Sequence, residues 1–118
     1  MIKLENYFYT VYKDLLEKYN AKVKYTLSNK DDKFILDIGN LRYEIIINRQ
    51  FQDLAVYKRI NKKNIKIDID IQLSTFLKKQ EEKYLFFFSR LKKPLNQLFV
   101  DFSYTFIINE LIIQNGNI

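Results

Sequence analysis

Between residues 22 and 71 the chain alternates apolar and polar side chains, and independent turn signals bring the apolar ones to a single face. That agreement constrains the fold more than any other feature, because strand side chains repeat with a period of two. Gly39-Asn40 is a two-residue, glycine-first hairpin signal of the type II′ kind. It sets Ile38 against Leu41, Leu36 against Tyr43, Phe34 against Ile45, and Asp37 against Arg42 on the other face. Asn29-Lys30-Asp31-Asp32 reads as a polar loop between strands 22–28 and 33–38. Its closure places Leu27 opposite Phe34, Tyr25 opposite Leu36 and Val23 opposite Ile38, with Lys24 opposite Asp37. Asp37 then becomes the centre of a Lys24–Asp37–Arg42 ladder. Two separate turns thus select the same buried face.

A third hairpin follows the same logic. Asn61-Lys62-Lys63-Asn64 joins residues 54–60 to 65–71, pairing Ile60 with Ile65, Val56 with Ile69 and Leu54 with Ile71. Lys58 is the exception, falling opposite Ile67 on the apolar face. The link at 48–53 carries no comparable signal.

On either side of this region the period changes to that of a helix. Leu4, Tyr7, Phe8, Val11, Leu15 and Tyr19 recur at helical spacing, and Asn20 suits the C-terminal cap. Ser74 can cap a second helix whose apolar face holds Phe76, Leu77, Tyr84, Phe87, Phe88 and Leu91, with Lys92-Lys93 complementing the dipole at its end. Pro94, the single proline, ends that helix and can open the next. Residues 95–113 fit a helix through Leu98, Phe99, Phe102, Phe106 and Ile113, and also alternate as a strand would; helix is the expectation. At 118 residues the chain is expected to form one domain, 1–118, with nine Tyr and ten Phe supplying large rings to a small core. The expected class is α+β: an N-terminal helix, an antiparallel meander of about five strands, and two C-terminal helices packed on the sheet.

Composition then limits the chemistry. The chain has no histidine, no cysteine and no tryptophan, and two glycines. Without histidine it lacks the commonest general base and metal ligand, and without cysteine it has no disulfide, thiolate nucleophile or sulfur-ligated metal. Two glycines do not make a phosphate-cradling loop. Ser28, Ser74, Ser89 and Ser103 have no histidine to activate them, and Ser89 near Lys92 or Lys93 reads as helix surface. Asp68 and Asp70 are expected on one strand face, with Tyr57 beside Asp68, and read as solubilising charges rather than a cation site. The order helix, strand, strand, strand is similar to that of restriction-type nucleases, and Asp37 could be their first acid. The third strand reads Glu44-Ile45-Ile46, however, with isoleucine where the lysine belongs. No enzymatic activity, cofactor or metal is expected. The Met1–Asn6 start lacks an apolar leader, and the longest apolar run, Leu85-Phe86-Phe87-Phe88, is too short to span a bilayer, so a soluble cytoplasmic protein with no membrane contact is expected.

What remains is surface. Lys58, Arg59, Lys62, Lys63 and Lys66 lie on or beside one hairpin, in a chain of net charge +6, with Tyr57 adjacent. They form a candidate contact to phosphate backbone or to an acidic protein groove. Ile35, Ile46, Ala55 and Tyr57 fall on the sheet face opposite the core, and Phe86 sits among three adjacent helical phenylalanines that cannot all face inward. Ile35, Ile46 and Phe86 are therefore candidate apolar contacts, self-association into a homodimer included. Lysine outnumbers arginine sixteen to four, a usage that often reflects an AT-rich genome. A small, chemically bare chain of this kind resembles, as a class, inhibitors that act by occlusion, such as phage-encoded anti-CRISPR proteins or toxin-immunity proteins. The leading expectation is such a protein-interaction module, with a protein or nucleoprotein partner. The alternative is a nucleic-acid-binding protein that uses the hairpin around Lys58–Lys66.

Overall fold

The computed structural model describes residues 2–87 and 93–116. Its elements run α1 (Leu4–Lys18), β1 (Lys22–Leu27), β2 (Asp31–Ile38), β3 (Leu41–Asn48), β4 (Asp53–Ile60), β5 (Lys63–Lys66), α2 (Asp70–Phe87) and α3 (Leu95–Gly116). The five strands form one antiparallel sheet in sequence order, and the chain is α+β. No helix among the described residues is long and apolar enough to cross a membrane.

The expected face is the buried one. Phe34, Leu36, Tyr43, Ile45, Ile47, Leu54 and Val56 are all buried under α1 and α3. The β2–β3 register is as the Gly39-Asn40 turn predicts, with Gly39 at φ +59° and Asp37 opposite Arg42. The other two hairpins correct the sequence reading. β1 pairs so that Val23 meets Leu36 and Tyr25 meets Phe34, which sets Lys24 against Ile35 and Lys22 against Asp37. The Lys24–Asp37 contact does not form. β4 and β5 pair Tyr57 with Lys66, Lys58 with Ile65 and Ile60 with Lys63. In both hairpins the turn closes on two residues rather than four. At Asn61-Lys62 both residues take positive φ (50° and 68°), the backbone of a type I′ turn. At Asn29-Lys30 the Ser28 amide donates to the Asp31 carbonyl, 2.9 Å away. Each closure shifts the pairing by two positions, so parity survives and every side chain keeps its face.

The strand expected over 65–71 ends at Lys66. Ile69 is buried, and its carbonyl accepts the Leu73 amide at 2.8 Å, the first bond of α2. The sequence Ile69, Leu73, Phe76, Leu77 carries helical spacing through the alternating run, and burial of that stripe wins over strand pattern. Asp70, and not Ser74, therefore opens α2, and Asp68 Oδ1 accepts the Asp70 amide at 3.2 Å. Both carboxylates stand at the helix N-terminus, where the dipole favours them.

α1 buries Phe8, Tyr12 and Leu15, and ends in a Schellman arrangement. Asn20 takes φ +50° and the Ala21 amide reaches the Leu16 carbonyl at 3.0 Å. Pro94 precedes α3, and its carbonyl accepts from Gln97 and Leu98 at 3.0 and 3.1 Å. α3 buries Phe99, Val100, Phe102, Ser103, Ile107 and Leu111, whereas Ile113, expected in the apolar stripe, is 65% exposed. Phe8 sits between the rings of Tyr12 and Phe34 at 3.9 and 4.0 Å, nearly parallel to both. This three-ring stack joins α1 to the middle of the sheet. Tyr12 then bonds Ser103 at 2.7 Å and Tyr7 donates to Asp101 at 2.7 Å, which pins α1 to α3. Phe76 of α2 meets Phe102 of α3 edge-on at 5.6 Å.

Candidate interaction surface

The helices α1 and α3 cover one face of the sheet. The side chains of the other face are absent from the core cluster, Ile35, Ile46 and Tyr57 among them. The strand registers order this outer face into four cross-strand rows. The first runs Lys22, Asp37, Arg42, Arg59, Asn64. The second is Lys24, Ile35, Glu44, Tyr57, Lys66, the third Thr26, Lys33, Ile46, Ala55, and the fourth Asp31, Asn48, Asp53. Ile35, Ile46, Ala55 and Tyr57 shield one another enough to be half-buried.

Both acids of the first three rows are engaged, whereas Asp31 and Asp53 of the fourth take part in no ion pair among the described residues. Arg42 holds Asp37 through two bonds, at 2.7 and 3.2 Å. Those bonds raise the pKa of the guanidinium above its ordinary value. Lys33 lies 3.9 Å from Glu44, which also accepts a long bond from Asn64 at 3.4 Å. Among the described residues Lys22, Lys24, Arg59 and Lys66 take part in no ion pair. The outer face therefore has an apolar diagonal, two neutralised acid–base pairs, free cations on both margins of its first two rows, and the acids Asp31 and Asp53 at its far end.

The charge follows the same division. Eleven of the 20 basic residues but five of the 14 acidic ones lie between Lys22 and Lys66, so the strand region holds the whole net charge of +6. The rest of the chain, which carries the helices, is neutral.

The structure separates the residues of the expected basic hairpin. Tyr57, Arg59 and Lys66 stand on the outer face, with Tyr57 beside Lys66 rather than Asp68. Lys62 occupies the turn, and Lys63 begins β5 facing the helix side. Lys58 also faces the helices. Its ammonium lies 3.9 Å from Glu110 of α3 and 5.7 Å above the Tyr43 ring. Tyr43 donates to Glu110 at 2.5 Å, and burial first, then that carboxylate, raises its pKa above the ordinary value. Lys58 thus ties sheet to helix and does not belong to the outer surface. Phe86 lies within α2, and its side chain falls outside the described residues, as do Ser89 and Lys92.

Asp68 and Asp70 do not share a strand face, and no group of three metal-ligating side chains occurs among the described residues. Sequence reasoning also missed Asp32. Expected in a loop, it lies in β2 on the core face, 4% exposed, held by Arg49 at 2.9 Å and by the Tyr25 hydroxyl. Arg49 also donates to the Ser28 carbonyl, so this cluster locks the β1–β2 and β3–β4 turns together. It is structural: both carboxylate oxygens are occupied from within the fold.

No protein-family model matches the chain, and neither a curated protein nor a solved structure resembles it significantly.

Proposed function

We propose that the protein is a non-enzymatic interaction module that works by occlusion, laying the outer face of its sheet over an acidic surface of a partner. The observation that carries this reading is the one sheet face left uncovered by the described helices, which bears unpaired cations around an apolar diagonal. An exposed apolar patch with a charged margin is the usual anatomy of a contact surface. The inhibitor classes that fit are those in which a small protein blocks a larger one, anti-defence or toxin-immunity proteins among them. The reading implies a cytoplasmic site of action, which a chain without cysteine suits. Self-association through the same face is disfavoured, because two copies would bring like-charged margins together.

The test is affinity capture from the cell of origin with three tagged baits. These are the wild type, an outer-face variant (Ile46→Glu with Arg59→Glu) and an α2 variant (Lys78→Glu with Lys79→Glu). Circular dichroism checks that all three fold. The wild type and the α2 variant should retain the same stoichiometric partner, and the outer-face variant should lose it. Retention by all three baits, or no stoichiometric partner for the wild type, would refute the reading.

A further inference from the structure

We infer that the outer sheet face takes single-stranded nucleic acid, with the backbone crossing the strands from β1 to β5 and a base lying against Tyr57. The inference rests on the occlusion reading only in using the same face, and it commits to what that face meets.

Four observations carry it. The free cations stand on opposite margins, Lys22 and Lys24 on β1 and Arg59 and Lys66 on β4 and β5. Four interstrand spacings separate Lys24 from Lys66, about 19 Å. A polyanion laid across the strands can therefore meet cations at both ends of its path. The acids along that path, Asp37 and Glu44, are already neutralised by Arg42 and Lys33, and Asp31 and Asp53 lie off it in the fourth row. Tyr57 is the aromatic residue of the four rows, and it stands between Glu44 and Lys66 with Arg59 two residues along the same strand. Aromatic rings and guanidinium planes are what unpaired bases stack on.

The choice among polyanions follows from residue type and shape. Three of the four free cations are lysines, which are depleted from protein–protein contacts yet serve phosphates well as point charges. A duplex is read by an element that enters a groove, and an uncovered sheet face offers none. Single strands need only a charged platform with a stacking ring. With Asn64 as the one amide on that path, and Asn48 in the fourth row already accepting the Phe51 amide, little base-edge readout is available, so binding should be nearly independent of sequence.

Fluorescence anisotropy with labelled oligothymidylate, oligouridylate and a duplex of equal length tests this on the whole chain. Both single strands should bind more tightly than the duplex. With about four phosphate contacts, affinity should fall about fifty-fold between about 50 and about 200 mM salt. Lys24→Glu with Lys66→Glu should abolish binding. Lys78→Glu with Lys79→Glu, equal in net charge, should leave it within about two-fold. Tyr57→Ala should weaken it about ten-fold and Tyr57→Phe should restore it. The inference is overturned if neither single strand binds at low salt, if the duplex binds as well, if the two charge-reversed pairs lose equally, or if Tyr57→Ala has no effect. Should the single strands fail to bind while partner capture still depends on the outer face, this inference falls and an acidic protein surface remains. Should capture be independent of that face too, the occlusion reading falls with it.

Discussion

Removing Arg49 should destabilise the fold far more than removing the carboxylate it neutralises. Asp32 lies on the core face of β2, in the same cross-strand row as Leu27, Ile47 and Leu54. Its side chain is 5% exposed, whereas that of Arg49 is 36% exposed. Arg49→Ala leaves a carboxylate buried among apolar neighbours with the Tyr25 hydroxyl as its remaining side-chain donor. Breaking a fully buried ion pair from one side costs about 3–5 kcal/mol. Solvent already reaches the guanidinium, so about 2–3 kcal/mol is expected here. For a chain of this size that lowers the melting temperature by about 10 °C. Asp32→Leu has the opposite character. It places a methyl-rich side chain beside three apolar residues and releases Arg49 towards water, for a cost under about 1 kcal/mol. The double variant Asp32→Leu with Arg49→Met should lie within about 1 kcal/mol of the wild type. Urea denaturation followed by circular dichroism gives all four corners of the cycle. Equal costs for the two single variants, or strictly additive ones, would refute the claim that an unpaired buried carboxylate dominates.

Three further outcomes follow from other parts of the fold. Tyr12→Phe removes the bond to Ser103 while Ser103 still donates to the Val100 carbonyl at 2.8 Å, so urea unfolding should show a loss of about 1 kcal/mol. Tyr12→Ala also opens the ring stack and should cost about 3–5 kcal/mol. Stability should fall in alkali. Burial first raises the pKa values of Tyr12, Tyr25 and Tyr43 above the ordinary 10.0, and Asp32 and Glu110 raise those of Tyr25 and Tyr43 further. Above pH about 10 the unfolded chain releases these protons while the folded one keeps them, so stability present below that pH is lost as pH rises towards the folded-state values. Tyr12, fully buried, contributes up to about 1.4 kcal/mol per pH unit, and the more solvent-screened hydroxyls of Tyr25 and Tyr43 contribute less; an unfolding midpoint unchanged between pH about 9 and about 11 would contradict this. Lys62→Gly should raise stability by about 1 kcal/mol, because Lys62 holds φ 68° in a two-residue turn that suits glycine; a lower melting temperature would show the turn strain misjudged.

Much of this architecture was legible because strand faces depend on parity alone. The four-residue loops expected at Asn29–Asp32 and Asn61–Asn64 both close on two residues, yet a shift of two leaves Leu36, Val56 and their neighbours on the core face. What parity cannot protect is the identity of a cross-strand partner. The four-residue closures therefore match Lys24 with Asp37 and Tyr57 with Asp68, whereas in the fold Lys24 faces Ile35 and Tyr57 faces Lys66. The run from Ile65 to Ile71 illustrates a different limit. Its alternation is unbroken, but a competing stripe of Ile69, Leu73, Phe76 and Leu77 buries more, and that competition is decided by packing against α3 rather than by local pattern.

The surface was harder to read for a related reason. Consecutive basic residues look like one cluster in sequence, but on strands neighbours point to opposite sides, so Lys58 joins Glu110 and Tyr43 beneath the sheet while Arg59 stands on the open face. A second signal was present and coarser: the excess charge lies wholly between Lys22 and Lys66, while the flanking segments are neutral. Had the sheet been covered on both faces, that excess would have been pushed to its edges and turns, since unpaired charges are costly to bury. One face left open by the described helices lets the sheet carry Lys24, Arg59 and Lys66 across its width at little cost in stability. The same openness leaves those cations available, and it is why the proposed contact is placed on the strands as well as on the hairpin expected from sequence.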